Sequence, residues 1–121
     1  MWPTRLSRKQ EQGRQWEDAA LAYLQRQGLV LVEANFRCKC GEIDLILRDG
    51  ATLVFVEVRQ RAAGSLVGAA ASIGPAKIRR IVRAAQVYLQ RFSRMPPCRI
   101  DVIAIDGNDI EWLRNAIEAA A

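Results

Sequence analysis

The clearest pattern in the chain is a pair of alternating, largely apolar segments, residues 41–48 and 51–59, separated by Asp49-Gly50. An Asp-Gly pair between such segments is a strong signal for a two-residue β-hairpin turn. With this turn, one hairpin face is entirely apolar and consists of Ile43, Leu45, Leu47, Val54, Val56 and Val58. The opposite face carries charged residues at one end and apolar residues beyond, namely Glu42, Asp44, Glu57 and Arg59, then Ile46, Leu53 and Phe55. Because both faces carry apolar residues that need to be buried, the pattern predicts a central hairpin with helices on both sides.

Apolar residues at helical spacing flank this hairpin. The first stretch covers residues 13–27 and ends at Gly28, a typical helix stop, and the second covers residues 75–92. Between the hairpin and the second helix, residues 62–74 are rich in Gly, Ala and Ser, which predicts a mobile loop.

Three further segments complete the predicted architecture. Residues 29–32 form a short β-branched run, residues 99–106 alternate as a buried strand does, and residues 110–113 predict a short strand followed by a terminal helix. The resulting fold class is α/β, with a mixed central sheet of about five strands flanked by helices.

Length and composition restrict the number of domains and the kinds of partner to expect. The 121 residues fit one domain, with residues 1–12 predicted as a flexible N-terminal tail. The net charge of +5 is compatible with solubility alone, but it also favours a polyanionic partner such as nucleic acid. Residues 1–12 have no apolar segment, and no apolar run is long enough to span a bilayer, so we expect a cytoplasmic chain without membrane contact.

The three cysteines fit reduced thiols in the cytosol. Cys38 and Cys40 are closer in sequence than the cysteines of common zinc sites, and the chain has no histidine. A structural zinc site is therefore disfavoured, and a catalytic Cys–His pair is excluded.

Two carboxylates stand out on the mixed face of the hairpin. In the predicted register Asp44 and Glu57 are diagonal cross-strand neighbours, close enough for their side chains to converge. Two carboxylates in a partly covered pocket need protons, a basic partner or a cation such as Mg²⁺. The alternative is an ion-paired strand end, with Arg59 compensating the acids. A three-residue turn would instead place the two acids on opposite faces.

These residues carry a resemblance to a known family. The string from Gly41 to Ile46 reads GEIDLI, and residues 53–61 read LVFVEVRQR. Together with WEDAA from Trp16 and RIDV from Arg99, they resemble the YraN family of bacterial proteins over most of the chain. That family is similar to restriction-endonuclease-like nucleases, most closely the archaeal Holliday-junction resolvases. The resemblance implies this fold.

The resemblance also implies roles for single residues. Asp44 and Glu57 match the two metal ligands of these nucleases, and Glu17 matches a helical glutamate that is a third ligand or contacts metal-bound water. Arg59 stands where the nucleases have a catalytic lysine; it can steady a phosphate but cannot act as a general base. Glu42 is interpreted as a strand-end acid or as a partner of the site.

Basic residues predict a groove that follows a phosphate backbone. Lys77 is also a candidate for supplying the missing ammonium group. The predicted nucleic-acid-binding residues are Arg37, Lys39, Arg59, Arg61, Lys77, Arg80 and Arg83.

Three functions remain open from the sequence. The leading one is an endonuclease dependent on Mg²⁺ or Mn²⁺ that acts on DNA, including branched DNA, with a homodimer needed to cut both strands of a junction. The second is a non-catalytic nucleic-acid-binding module with a degenerate nuclease site. The third is a protein-interaction domain whose acids are merely ion-paired.

Overall fold

Five strands form one mixed sheet, in which their spatial order is their order along the chain. The protein is seen here as a computed structural model that describes residues 7–60 and 71–118. Strands β3 and β4 are parallel, whereas the other neighbouring pairs are antiparallel. The strands are β1 Val30–Cys38, β2 Gly41–Asp49, β3 Thr52–Gln60, β4 Cys98–Asp106 and β5 Asp109–Ile117, and the helices are α1 Arg8–Arg26 and α2 Pro75–Leu89.

Each helix covers one face of the sheet. Helix α1 contributes Ala20 and Leu24 to one buried cluster, and α2 contributes Ile81 and Tyr88 to the other. A parallel β3–β4 pair needs a crossover, and α2 lies in the connection between these strands. The predicted α/β class with a mixed five-stranded sheet is confirmed, and the arrangement is consistent with the restriction-endonuclease-like fold.

Helix α1 begins earlier than its apolar spacing predicted. Ser7 accepts a hydrogen bond from the Gln10 backbone, and the Gln10 side chain accepts one from the Ser7 backbone. This capping box satisfies amide groups that a helix start leaves without partners. Residues 8–12, assigned to the tail, are therefore helical, and residues 1–6 lie outside the described part.

The hairpin turn differs from the predicted one by one residue. Asp49 pairs with Thr52, so Gly50 and Ala51 form the turn instead of Asp49 and Gly50. Gly50 alone of these residues has a positive φ, +60°, as in type II′ turns that begin with glycine. The register consequently shifts by two residues, which keeps each side chain on its face and brings Asp44 level with Glu57, one position beyond the last pair, Leu45 with Val56.

Strand β2 changes its orientation near Asp44. Its pairing with β3 stops at Leu45 and Val56, whereas its pairing with β1 continues to Gly41. Asn35, on the neighbouring stretch of β1, has φ +56°. Beyond this irregularity Ile43 packs in the α2-side cluster, although strict alternation predicted it beside Leu45 on the other face.

The ends of the chain's elements also differ from the predictions. Strand β1 has nine residues instead of four. Strand β5 continues to Ile117, so residues 114–117 extend this strand and the terminal helix predicted for them is wrong. Trp112 and Ile117 pair with β4 residues, and this tertiary pairing outweighs the helix propensity of the segment. Most of the predicted loop 62–74 lies outside the described residues.

Gly41 is expected to be intolerant of substitution because it lies against α2. A Cβ atom at Gly41 would stand 2.5 Å from the Arg80 carbonyl oxygen, whereas one at Gly13, within α1, would meet nothing within 4 Å. We expect Gly41→Ala to lower the free energy of unfolding by about 1–3 kcal/mol. The control Gly13→Ala should raise it by about 0.5–1 kcal/mol through helix propensity. Urea unfolding measures both, and equal effects would contradict the close approach.

Candidate active site

Asp44 lies where β2 leaves β3. One of its carboxylate oxygens, Oδ2, accepts the backbone N–H of Val58 at 2.8 Å. This bond takes the place of a strand-to-strand backbone bond at the end of the β2–β3 ladder, so the carboxylate is held by the sheet itself. The position is half-buried, which leaves Asp44 within reach of ligands.

Glu57 supplies the second carboxylate, on the neighbouring strand β3. It is buried with 5% of its surface exposed, which is rare for an acid without a partner. Its Oε1 lies 3.6 Å from the Nζ of Lys77, in the first turn of α2. The structure therefore brings an ammonium group to the acids from α2, within the crossover that follows β3.

Glu17 reaches the same site from α1. It is half-buried and shares a side-chain hydrogen bond with Asp44. Burial raises the pKa of Glu17 to about 7, and the neighbouring Asp44 carboxylate adds to the rise. At neutral pH without a cation, Glu17 is thus suited to donate a proton to this bond.

The two strand acids are not fully compensated by their neighbours. Burial raises the pKa of Glu57 to about 7; the charge of Asp44 adds to this rise, and Lys77 and Arg59 oppose it. Burial likewise raises the pKa of Asp44, against the opposing effects of its bond to Val58 and of Lys77. A simple ion-paired strand end would hold these pKa values down, which weakens that alternative.

The donor atoms suit a hard divalent cation. Mg²⁺ and Mn²⁺ favour carboxylate oxygens, and Mg²⁺ commonly takes one or two of them while completing its shell with waters and phosphate oxygens. Asp44 and Glu57 fit this requirement. Within residues 7–60 and 71–118, no three or more His, Cys, Asp or Glu side chains are arranged to hold a metal ion. Glu17 is thus a partner of Asp44 here, and its role as a third ligand remains a prediction.

Arg59 is hydrogen-bonded to Ser72, and its predicted contact with phosphate stays a prediction. Its Nε and Nη2 groups donate to the Oγ and backbone oxygen of Ser72, at 3.2 and 3.1 Å. These bonds tie the end of β3 to the residues before α2. Arg59 still acts electrostatically on Glu57, but Lys77 is the cation that forms an ion pair with it.

A basic cleft of about 440 Å³ lies beside the acids, between the β1–β2 turn and α2. Four of the predicted nucleic-acid-binding residues line it, namely Arg37, Lys39, Lys77 and Arg80. Arg83 is exposed on α2 one turn beyond Arg80, and Arg61 lies outside the described residues. The structure thus gathers most of the predicted groove on one side of the site.

A second cleft, of about 450 Å³, lies on the α1 side and contains Glu17 and Asp44. Arg37 and Glu42, which are 3.4 Å apart, line both clefts. Gln10 and Arg14 also face this second cleft, and sequence reasoning missed them. Their helical spacing from Glu17 is the signal that could have found both residues, and for Gln10 the assignment of residues 1–12 to a tail hid it.

The buried acid Asp101 has a structural role, in contrast to Asp44 and Glu57. It is fully buried and accepts hydrogen bonds from Arg99 at 3.1 Å, from the indole nitrogen of Trp112 at 2.9 Å and from the backbone of Asn115 at 2.8 Å. Its oxygens are fully engaged in linking β4 to β5.

Comparison with known proteins places this site in a family. A family model described as uncharacterised protein family UPF0102 matches residues 16–105. The chain belongs to UPF0102. The match confirms the resemblance to the YraN family and spans Glu17, Asp44, Glu57 and Lys77.

Close relatives within UPF0102 cover almost the whole chain. A UPF0102 protein of Janthinobacterium sp. (strain Marseille) is 62% identical over 111 residues, which cover 92% of this chain and 90% of the relative. One of Herminiimonas arsenicoxydans is 56% identical over 121 residues, covering 97% and 98%. One of Cupriavidus metallidurans is 60% identical over 111 residues, covering 91% and 83%.

Neither helix in the described part of the chain has the length and apolar character needed to cross a membrane.

The raised pKa values predict how stability depends on pH. Folded Glu57 holds its proton up to about pH 7, above its ordinary pKa of 4.5, so the folded state binds more protons than the unfolded state in this range. Stability of the metal-free protein should therefore fall as pH rises from about 5 to about 7. Glu57→Gln should weaken this dependence and raise Tm at about pH 8 by about 4 °C, or about 1 kcal/mol.

The dependence of Tm on pH is measured by thermal unfolding in EDTA across this pH range. Glu118→Gln, which removes an exposed acid beyond β5, is the matched control and should leave the slope unchanged. A wild-type Tm that rises with pH over the same window would contradict the burial of uncompensated carboxylates.

Proposed function

We propose that the chain is an endonuclease dependent on a divalent metal, Mg²⁺ or Mn²⁺, that hydrolyses phosphodiester bonds in DNA, including branched DNA. The observation that carries the proposal is the meeting of Asp44, Glu57 and Lys77 beside a basic cleft. Carboxylates that hold a metal, an ammonium group and a basic cleft are components suited to metal-assisted phosphodiester hydrolysis. Membership of UPF0102 and the α/β fold are compatible with it.

Each residue has a defined task in this proposal. Asp44 and Glu57 hold the metal, which when bound lowers the pKa of a water and neutralises charge developing on phosphorus. Lys77 places a positive charge beside Glu57 and helps to stabilise the phosphoryl charge, in place of the signature lysine that Arg59 replaces. Glu17 positions Asp44 through their hydrogen bond. Cutting both strands of a junction would require two copies of the chain.

The basic cleft supports DNA as the partner. Arg37, Lys39 and Arg80 come from the β1–β2 turn and from α2, so their charges converge from two elements. Such contacts neutralise phosphates and position a nucleic acid without reading its sequence. Arg37 additionally stands between the two clefts, next to Glu42, so a bound backbone is directed toward Asp44.

A specific observation favours a second candidate function, nucleic-acid binding without catalysis. Arg59 replaces the lysine of the nuclease signature, and two of its guanidinium nitrogens donate to Ser72. In this candidate the ion pair of Lys77 with Glu57 replaces the metal, and binding occurs with no turnover.

Cleavage assays distinguish the two candidates. Labelled linear and four-way-branched DNA are incubated with the wild type in Mg²⁺, Mn²⁺ or EDTA. We expect cutting that needs the metal and falls by about 10²-fold or more in Asp44→Asn, since the isosteric amide still accepts the Val58 bond but loses its charge. The control Asp109→Asn alters an exposed acid at the start of β5 and should cut normally. Binding without cutting under every condition supports the second candidate.

The role of Lys77 has its own test on α2. Lys77→Ala is expected to lower the cleavage rate by about 10²-fold, as removal of a group that stabilises transition-state charge commonly does. Arg79→Ala removes an equal charge from an exposed position of the same helix and should retain nearly full activity. Equal rates for the two variants would remove Lys77 from the mechanism.

The salt dependence of DNA binding should report the number of phosphate contacts. Each lost phosphate contact reduces the slope of log K against log salt by about 1. We expect Arg80→Ala, in the basic cleft, to do so, and Arg94→Ala, at an exposed position after α2, to leave the slope unchanged. Fluorescence anisotropy across salt concentrations measures this with an uncut substrate in EDTA. Identical slopes would place the DNA elsewhere.

A further inference from the structure

Two thiols lie together at the rim of the basic cleft. Cys38 ends β1 and Cys40 precedes β2, with Lys39 between them in the connecting turn. Their Sγ atoms are 2.9 Å apart, and both side chains line the cleft. The third cysteine, Cys98, is exposed at the start of β4. The candidate nuclease chemistry uses none of these thiols.

We propose that Cys38 and Cys40 form a reversible intrachain disulfide by exchange with a small-molecule disulfide such as oxidised glutathione. A disulfide bond is about 2.0 Å long, so the two sulfur atoms need to approach by less than an ångström. The turn already directs both side chains to the same place. The proposal does not depend on the proposed nuclease function.

The exchange balances in two steps. The Cys38 thiolate attacks one sulfur of oxidised glutathione, forming a mixed disulfide and releasing one glutathione thiolate. The Cys40 thiolate then attacks the Cys38 sulfur, forming the intrachain bond and releasing the second glutathione. The two cysteines are oxidised, the glutathione disulfide is reduced, and the two thiol protons pass to the released glutathiones.

The surroundings favour this order of reaction. The hydrogen bond from Cys40 lowers the pKa of the Cys38 thiol, whereas the same contact raises the pKa of Cys40. A lower pKa gives Cys38 the larger thiolate fraction and makes it the attacking group. Lys39, Arg37 and Arg80 line the same cleft and attract the anionic oxidant.

The position of the bond also makes it reversible. It would close a ring across only one intervening residue, so it removes little chain entropy and adds little stability. Strained or accessible disulfides of this kind are readily reduced by thiols. The bond would fix the turn that carries Lys39 into the basic cleft.

Peptide mapping tests the proposal on the full chain. The protein is incubated in mixtures of reduced and oxidised glutathione, free thiols are blocked with N-ethylmaleimide in acid, and trypsin is added without reductant. Trypsin cuts after Arg37, Lys39 and Arg48, so it separates the two cysteines unless a disulfide joins them. We expect the pair of peptides 38–39 and 40–48 to be linked, or peptide 38–48 to be two hydrogens lighter, in each case reversed by dithiothreitol.

Single cysteine variants test which role each thiol has in the exchange. Cys40→Ser is expected to leave glutathione attached to Cys38, because no second thiol can displace it, and Cys98→Ser should leave the linked product unchanged. In the wild type the linked product should exceed the Cys38 glutathione adduct by about tenfold or more, since its closure is intramolecular. Persistent glutathione adducts without the link, or a link from Cys98 to either partner as the main product, would overturn the proposal.

Discussion

The bond from the Val58 amide to the Asp44 carboxylate is the contact on which the candidate site depends. It replaces a rung of the β2–β3 ladder, so the two strands separate there without leaving a buried amide unpaired. The separation opens the sheet for Glu17 from α1 and Lys77 from α2. Charged side chains from the two helices, which lie on opposite faces of the sheet, can therefore meet at one point. An unbroken sheet would keep them apart.

The candidate site buries two carboxylates without fully compensating their charge, which destabilises the fold and raises the pKa values of both acids. Asp44 and Glu57 are adjacent, desolvated and only partly compensated by Lys77, and so burial raises the pKa values of both acids. Asp101 shows the contrast, because Arg99 and two further donors satisfy a carboxylate that is buried more completely. Incomplete compensation of this kind is typical of positions that bind a ligand, whereas full compensation is typical of structural acids.

Much of this arrangement follows from the sequence, and the exceptions have physical reasons. The faces of the hairpin were predicted correctly except at Ile43, because a register error of two residues preserves alternation. The turn was misplaced because Asp-Gly and Gly-Ala are both good turn pairs, and the φ of Gly50 decides between them. The contact of Lys77 with Glu57 is not visible in any local pattern, since Lys77 lies on the crossover helix and Glu57 on the strand before it. The C-terminal segment has helical composition, but its pairing with β4 outweighs that preference.

The bonds of Arg59 to Ser72 have a consequence for what holds the candidate site together. They fix two points of the chain that flank residues 60–71, so the geometry of the site is set by the frame on either side of that interval. A change that broke these bonds would therefore loosen Glu57 on β3 and Lys77 on α2 together.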